Sequence, residues 1–277
     1  MLKPYMQDSD DIAKSQRHQF RPDPSLEYMA KYTMENGNSA YRQFWNRTDP
    51  FKDWLVMLDL DGTVVDSAPV IAGNIRKAVK TVGRPVEEGR EILFAYSLDK
   101  TLFPGWGRTI EEQVRISEAE FWPLLAGLNN QGEIDGIKLF DKAKKTLFSL
   151  YANYRLAAVT SRDTKSATRI LNNNGVLGYF DRVLASGERL YRPKPDPEML
   201  CCAIKAQGLR PGSSVMVGDH PTDIEAGKAA GAFTIAVTGG GYSTPEELAA
   251  AMPDRMLDYE NIDRLPNVVR NIFRHSR

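Results

Sequence analysis

The residues of this chain best equipped for chemistry are two aspartates two positions apart, Asp59 and Asp61, directly after the apolar run Leu55-Val56-Met57-Leu58. Four apolar residues in a row read as a buried strand. Side chains alternate along a strand, so Asp59 and Asp61 share one side while Leu60 faces the other. Gly62 lets the backbone turn sharply, and Thr63 adds a short hydroxyl beside the carboxylates. In a parallel α/β chain, ligands bind beyond the carboxyl ends of the strands, so the pair marks a catalytic mouth.

Three later segments carry further groups. Thr160-Ser161 follows the apolar run 156–159. A hydroxyl in that place commonly caps the next helix, but Asp163 or Thr164 can take that role here. Tyr191-Arg192-Pro193-Lys194-Pro195-Asp196-Pro197 places a lysine between two prolines, which restrict the backbone and lower the entropy lost in fixing a cation. Arg192 reads as solvent-facing. Val215-Met216-Val217-Gly218-Asp219-His220-Pro221-Thr222-Asp223 is another strand ending in a carboxylate, with a second carboxylate four residues on at a helix start.

In this order and spacing, the four segments resemble the motifs of the haloacid dehalogenase superfamily of aspartate-nucleophile hydrolases, over roughly residues 53 to 240. The resemblance implies a role for each group. Asp59 would be the nucleophile, forming an aspartyl-phosphate. Asp61 would protonate the leaving oxygen and later deprotonate water, work that contributes about 10²–10⁴ in rate. Thr160, with Ser161 beside it, would bind a phosphate oxygen, and Lys194 would neutralise the nucleophile and the phosphoryl group. Asp219 would bind a metal that Asp59 and Asp61 help to hold, while Asp223 ligates it or orients its shell. His220 has no fixed chemistry in the pattern and reads as a site-edge residue.

Oxygen donors without clustered His or Cys select a hard ion, and Mg²⁺ is the expected cofactor. Charge points the same way. Like charges about 4 Å apart repel by roughly 4 kcal/mol at an effective dielectric of 20, so several carboxylates facing one lysine call for a divalent cation.

The elements that must position these groups follow from the apolar pattern. Runs at 55–58, 156–159, 183–185, 215–217 and 234–237 are continuous and read as fully buried strands. Helices are expected from about Thr164 to Asn174, from Pro197 to Gly208 and from Pro221 to Gly231, with proline at the start or glycine at the end. This alternation predicts a doubly wound parallel α/β sheet, the Rossmann-like core that the resemblance also implies.

The first two strands lie far apart in sequence. Between them, Asp66-Ser67-Ala68-Pro69 reads as a helix start, followed by Ile71, Ile75, Val79 and Val82 on one face. Residues 68–136 are expected to form an inserted helical cap domain, and about 137–150 the helix returning to the core. The core domain would then comprise 53–67 and 137–277. Residues 1–52 form an N-terminal extension outside the resemblance. Its aromatic residues (Tyr28, Tyr32, Tyr41, Phe44, Trp45) are spaced for helical faces that pack together or meet another subunit.

Composition removes several classes. The 36 basic and 36 acidic residues cancel, so no global field favours nucleic acid or an anionic membrane. No apolar run reaches the length of a membrane span and the first residues lack a signal-peptide pattern, so the cytoplasm is the expected location. The two cysteines, Cys201 and Cys202, are adjacent in an expected helix and read as packing residues. Gly239-Gly240-Gly241 lacks the dinucleotide-binding spacing and reads as a loop.

Phe103-Pro104-Gly105-Trp106-Gly107-Arg108 is similar to the glycine-containing cap loop of phosphoglycolate-phosphatase-like members, so Arg108 could grip a substrate carboxylate or second phosphate. The expected function is therefore a Mg²⁺-dependent phosphatase acting on a small phosphorylated metabolite. Asp61 argues against haloacid dehalogenases and phosphonoacetaldehyde hydrolases, which lack that acid. A β-phosphoglucomutase-like isomerase shares both acids and is the alternative, with a non-catalytic binding protein behind it.

Overall fold

The computed structural model describes residues 53–81, 133–187 and 191–275. The extension 1–52, most of the expected cap, Arg108, and the side chains of Ile75 and Val79 lie outside the described residues. Six parallel strands form the main sheet in the order β5-β4-β1-β6-β7-β8. They are β1 (Leu55–Leu58), β4 (Arg155–Thr160), β5 (Arg182–Ala185), β6 (Ser214–Gly218), β7 (Phe233–Thr238) and β8 (Arg255–Asp258). The chain builds outward from β1 to one side, returns, and builds to the other. The carboxyl end of β1 therefore lies at the switch point, where a doubly wound sheet opens a crevice.

Alternation along the strands divides the interior in two. Val56, Leu58, Leu156, Ala158, Val215 and Val217 belong to one cluster, together with Leu147 and Leu150 of α2 (Ala143–Asn153), Ile170 of α3 (Thr164–Asn173) and Phe273 of α7 (Leu265–Arg274). Leu55, Met57, Ala157, Val159 and Met216 face the other side, against Met199, Leu200 and Ala203 of α4 (Glu198–Ala206) and Ala226 of α5 (Pro221–Ala229). Burial on both faces is why these strands read as unbroken apolar runs.

The register brings the site together. Leu58 pairs with Ala158 on one side and Val217 on the other, and the Asp59 amide donates to the Val217 carbonyl at 2.9 Å. The residues that follow β1, β4 and β6 thus emerge side by side. Beyond β1 the chain folds back at once: the amides of Val64 and Val65 donate to the Leu60 carbonyl at 2.8 and 2.9 Å. Gly62 makes this possible with a φ of +78°, the left-handed region that glycine enters without strain.

A second, two-stranded antiparallel sheet pairs β2 (Val65–Asp66) with β3 (Lys138–Leu139). Helix α1 (Ala68–Thr81) starts where expected, and a short 3₁₀ turn (Glu133–Gly136) precedes β3. The return to the core differs from the expected helix at 137–150: the chain first pairs as β3, and α2 begins only at Ala143. β8 was not foreseen either. Only Leu257 of its four residues is buried, because it closes the edge of the sheet. The helix α6 (Pro245–Ala250) precedes it. The reading of Cys201 and Cys202 as packing residues is corrected: they do lie in α4, but both are exposed. Among the described residues, no helix is long and apolar enough to cross a membrane.

Candidate active site

Lys194 is the centre of the arrangement. It is 4% exposed, and its Nζ donates to Asp59 Oδ1 at 2.6 Å, to Asp223 Oδ1 at 2.5 Å and to the Val159 carbonyl at 3.3 Å. The loop carrying it is held from outside, where the exposed Arg192 pairs with Asp196 and Glu198. Asp59, Asp219 and Asp223 are all buried, and each offers a carboxylate oxygen within 4.8 Å of the others.

Local hydrogen bonds place Asp219 and Asp223. Thr63 Oγ1 donates to Asp219 Oδ1 at 3.3 Å, which ties the turn after β1 to the end of β6. Asp223 sits in the first turn of α5, where the His220 amide donates to its Oδ2 at 3.1 Å. His220 itself caps α5, and its Nδ1 accepts from the Thr222 amide at 3.2 Å. Its side chain therefore serves the helix start. Gly218 leaves the space that Asp223 needs: a Cβ there would fall 2.1 Å from Asp223 Oδ2. The glycine loop after β7 is likewise more than a connection. A Cβ on Gly240 would lie 1.9 Å from the Gly62 carbonyl oxygen and 2.5 Å from Asp219 Oδ2, so the loop closes tightly over the turn.

Electrostatics follow from burial. Desolvation pushes the Asp59 carboxyl well above the usual aspartate range, with Asp223 and Asp61 adding to the rise and Lys194 opposing it. Burial alone would lower the Lys194 ammonium, but Asp223 and Asp59 outweigh it and hold the proton more firmly than in water. If all three carboxylates ionise, one ammonium leaves two negative charges uncompensated. At separations below 4.8 Å each like-charge pair costs at least about 3 kcal/mol at an effective dielectric of 20. An all-oxygen set of this charge fits a hard divalent cation, and the cluster could bind one.

The other expected residues fall around this centre. Thr160 ends β4, is 1% exposed, and accepts the Arg162 amide on Oγ1 at 3.2 Å. That bond leaves its hydroxyl proton to donate elsewhere. Ser161 is half-buried and follows immediately. Asp61 lies apart from the three-acid cluster, because its carboxylate is held side-on by Arg162, from Nε at 2.7 Å and Nη2 at 2.6 Å. Arg162 was not singled out from the sequence. A signal existed: Asp163 caps α3, so Arg162 is a cation at the positive end of a helix, an unfavourable place without an anionic partner.

With the geometry in place, the relatives are consistent. The family model for haloacid dehalogenase-like hydrolases matches residues 56–237. Phosphoglycolate phosphatase of Vibrio cholerae is 31% identical over 220 residues, covering 74% of this chain and 92% of the relative. Among solved structures, a predicted phosphoglycolate phosphatase from Haemophilus somnus superposes with a TM-score of 0.66 at 27% identity, covering 80% of this chain and 99% of that one. A Thermotoga maritima protein named for β-phosphoglucomutase reaches 0.62 at 19% identity, covering 79% and 99%, a likeness of fold alone. The chain belongs to the haloacid dehalogenase-like hydrolases, and within them it is a hydrolase of phosphoric monoesters.

Proposed function

We propose that the chain is a Mg²⁺-dependent phosphatase of a small, anionic phosphorylated metabolite of the phosphoglycolate type, acting through an aspartyl-phosphate. The observation that carries this reading is Lys194, buried between Asp59 and Asp223 with Asp219 alongside. The relatives named phosphoglycolate phosphatase support the substrate class.

In the first half-reaction an Asp59 oxygen attacks phosphorus, and the bond from phosphorus to the ester oxygen breaks. Asp61 supplies the proton that turns the departing oxygen into an alcohol. In the second, water attacks the phosphorus of the aspartyl-phosphate, passes a proton to Asp61, and releases phosphate with regeneration of the Asp59 carboxylate. Lys194 keeps Asp59 oriented and offsets charge on the transferring group, and the Thr160 hydroxyl donates to a phosphoryl oxygen. Asp59 and Asp219 would hold Mg²⁺, which when bound neutralises the phosphoryl oxygens. Asp223, with Lys194 on one oxygen and the His220 amide on the other, orients the lysine. Arg108 is the proposed grip on the substrate's second anionic group.

The test is phosphate release from a panel of phosphorylated metabolites, with Mg²⁺ and with chelator. Release that needs Mg²⁺ and disappears in Asp59→Asn supports the reading; equal release by that variant overturns it. Arg108→Ala should raise KM or lower kcat/KM on the preferred substrate, and an unchanged value removes Arg108 from the site. The shared fold and the pair Asp59 and Asp61 favour a phosphosugar mutase as the second reading. An isomerised sugar phosphate in place of free phosphate identifies it.

A further inference from the structure

We infer that Arg162 is a positioning residue for catalysis, holding Asp61 in the orientation from which it serves the ester oxygen. This rests on the role proposed above for Asp61. The side-on pair of bonds, Nε to one oxygen and Nη2 to the other, fixes the plane of the carboxylate as well as its position. The guanidinium is itself well buried, with 13% of its side chain exposed. Burial alone would lower its proton affinity, and Asp61 more than restores it.

The backbone of Arg162 is equally fixed. Its amide donates to Thr160 Oγ1 at 3.2 Å, and its carbonyl accepts from Gly187 at 3.1 Å. At Gly187 a Cβ would lie 2.7 Å from the Arg162 carbonyl carbon, so the two loops are in direct contact. One residue thus aims two groups of the site: the carboxylate through its side chain, and the hydroxyl through its amide. Asp61, held in this way, is not one of the three clustered acids.

If orientation is what Arg162 supplies, its loss slows proton donation to a poor leaving group, since a misplacement of about 1 Å can cost about 10²-fold. The experiment measures the first-turnover rate of alcohol release, which reports the first half-reaction alone, and KM for a series of phosphomonoesters from alkyl to p-nitrophenyl, using wild type, Arg162→Met, Arg162→Lys, Asp61→Asn and the double variant Asp61→Asn/Arg162→Met.

Arg162→Met should lower the first-turnover rate about 10- to 100-fold on alkyl phosphates and much less on p-nitrophenyl phosphate, whose leaving group needs no proton, with KM changed less than threefold. Arg162→Lys, which keeps the charge without the paired donors, should fall between wild type and Arg162→Met. The double variant should be no slower than Asp61→Asn. A uniform fall across the series, a change confined to KM, or a rise on alkyl phosphates overturns the inference. If Asp61→Asn itself shows no dependence on the leaving group, the role of Asp61 fails first and that of Arg162 with it.

Discussion

At the amino-terminal edge of the sheet, Trp54 and Tyr154 precede β1 and β4, and Phe233 opens β7. All three rings lie against Phe273 of α7, the first stacked with a centroid distance of 3.9 Å and the others edge-on at 5.7 and 6.5 Å. At the opposite edge, one residue past β1 and β6, the same strands present Asp59 and Asp219 to a buried lysine. The first edge follows the hydrophobic gradient: apolar area leaves water and little else is asked of it. The second runs against it, with charges brought into low dielectric that attract and repel one another. Stability is generated at one edge and function at the other, and a single register links them.

Substitutions separate the two edges, beginning with the largest effect. Asp59→Asn should lower phosphate release by about 10⁴-fold or more while the protein stays folded, as expected for loss of a nucleophile. Circular dichroism with a phosphate assay checks both halves. Lys194→Met removes the cation that bridges two buried carboxylates, and the metal-free protein should lose about 3–5 kcal/mol. A loss under about 1 kcal/mol in urea melts would show that the acids do not depend on it.

Phe273→Ala should cost about 3 kcal/mol through the cavity it leaves, yet kcat of the folded fraction should be unchanged. A fall in kcat would join the edges that the comparison separates. Next, Mg²⁺ at about 100 times its Kd should stabilise the protein by about 2.7 kcal/mol. The shift should persist in Phe273→Ala and vanish in Asp219→Asn; thermal melts with and without chelator decide it.

The smallest effect concerns pH. Burial raises the Asp59 carboxyl above its value in the unfolded chain, so between the two values the folded metal-free protein binds the extra proton. Stability should therefore fall as pH rises from about 4, the ordinary aspartate value, through the raised one. Asp59→Asn should flatten this slope. An unchanged slope in the variant would place the titration elsewhere.

The sequence made the central strands legible because burial on both faces leaves no polar position to blur the run, as in Leu55–Leu58. The same logic exposed Asp59 and Asp219, each a carboxylate at the end of such a run. β8 was hidden because an edge strand buries only Leu257, and β2 with β3 because two-residue strands have no periodicity to read. Arg162 was illegible for a different reason: its partner Asp61 lies 101 positions earlier, and an arginine before a helix looks like a surface residue until that pairing is seen. The closeness of Gly240 to the Gly62 carbonyl is likewise a property of two distant loops meeting.

The short ladder Val65–Leu139 and Asp66–Lys138 has an engineering consequence. It acts as a clasp: the chain departs and returns through adjacent rungs, and the Ser67 and Tyr242 hydroxyls, sharing a 2.7 Å hydrogen bond, rivet one side of the doorway to the core. Because the ladder brings the two ends of the intervening stretch together, the closure entropy it must meet rises by only about 0.6 kcal/mol for each doubling in length. A graft of another length joined at residues 81 and 133 should therefore leave the clasp paired and the sheet folded.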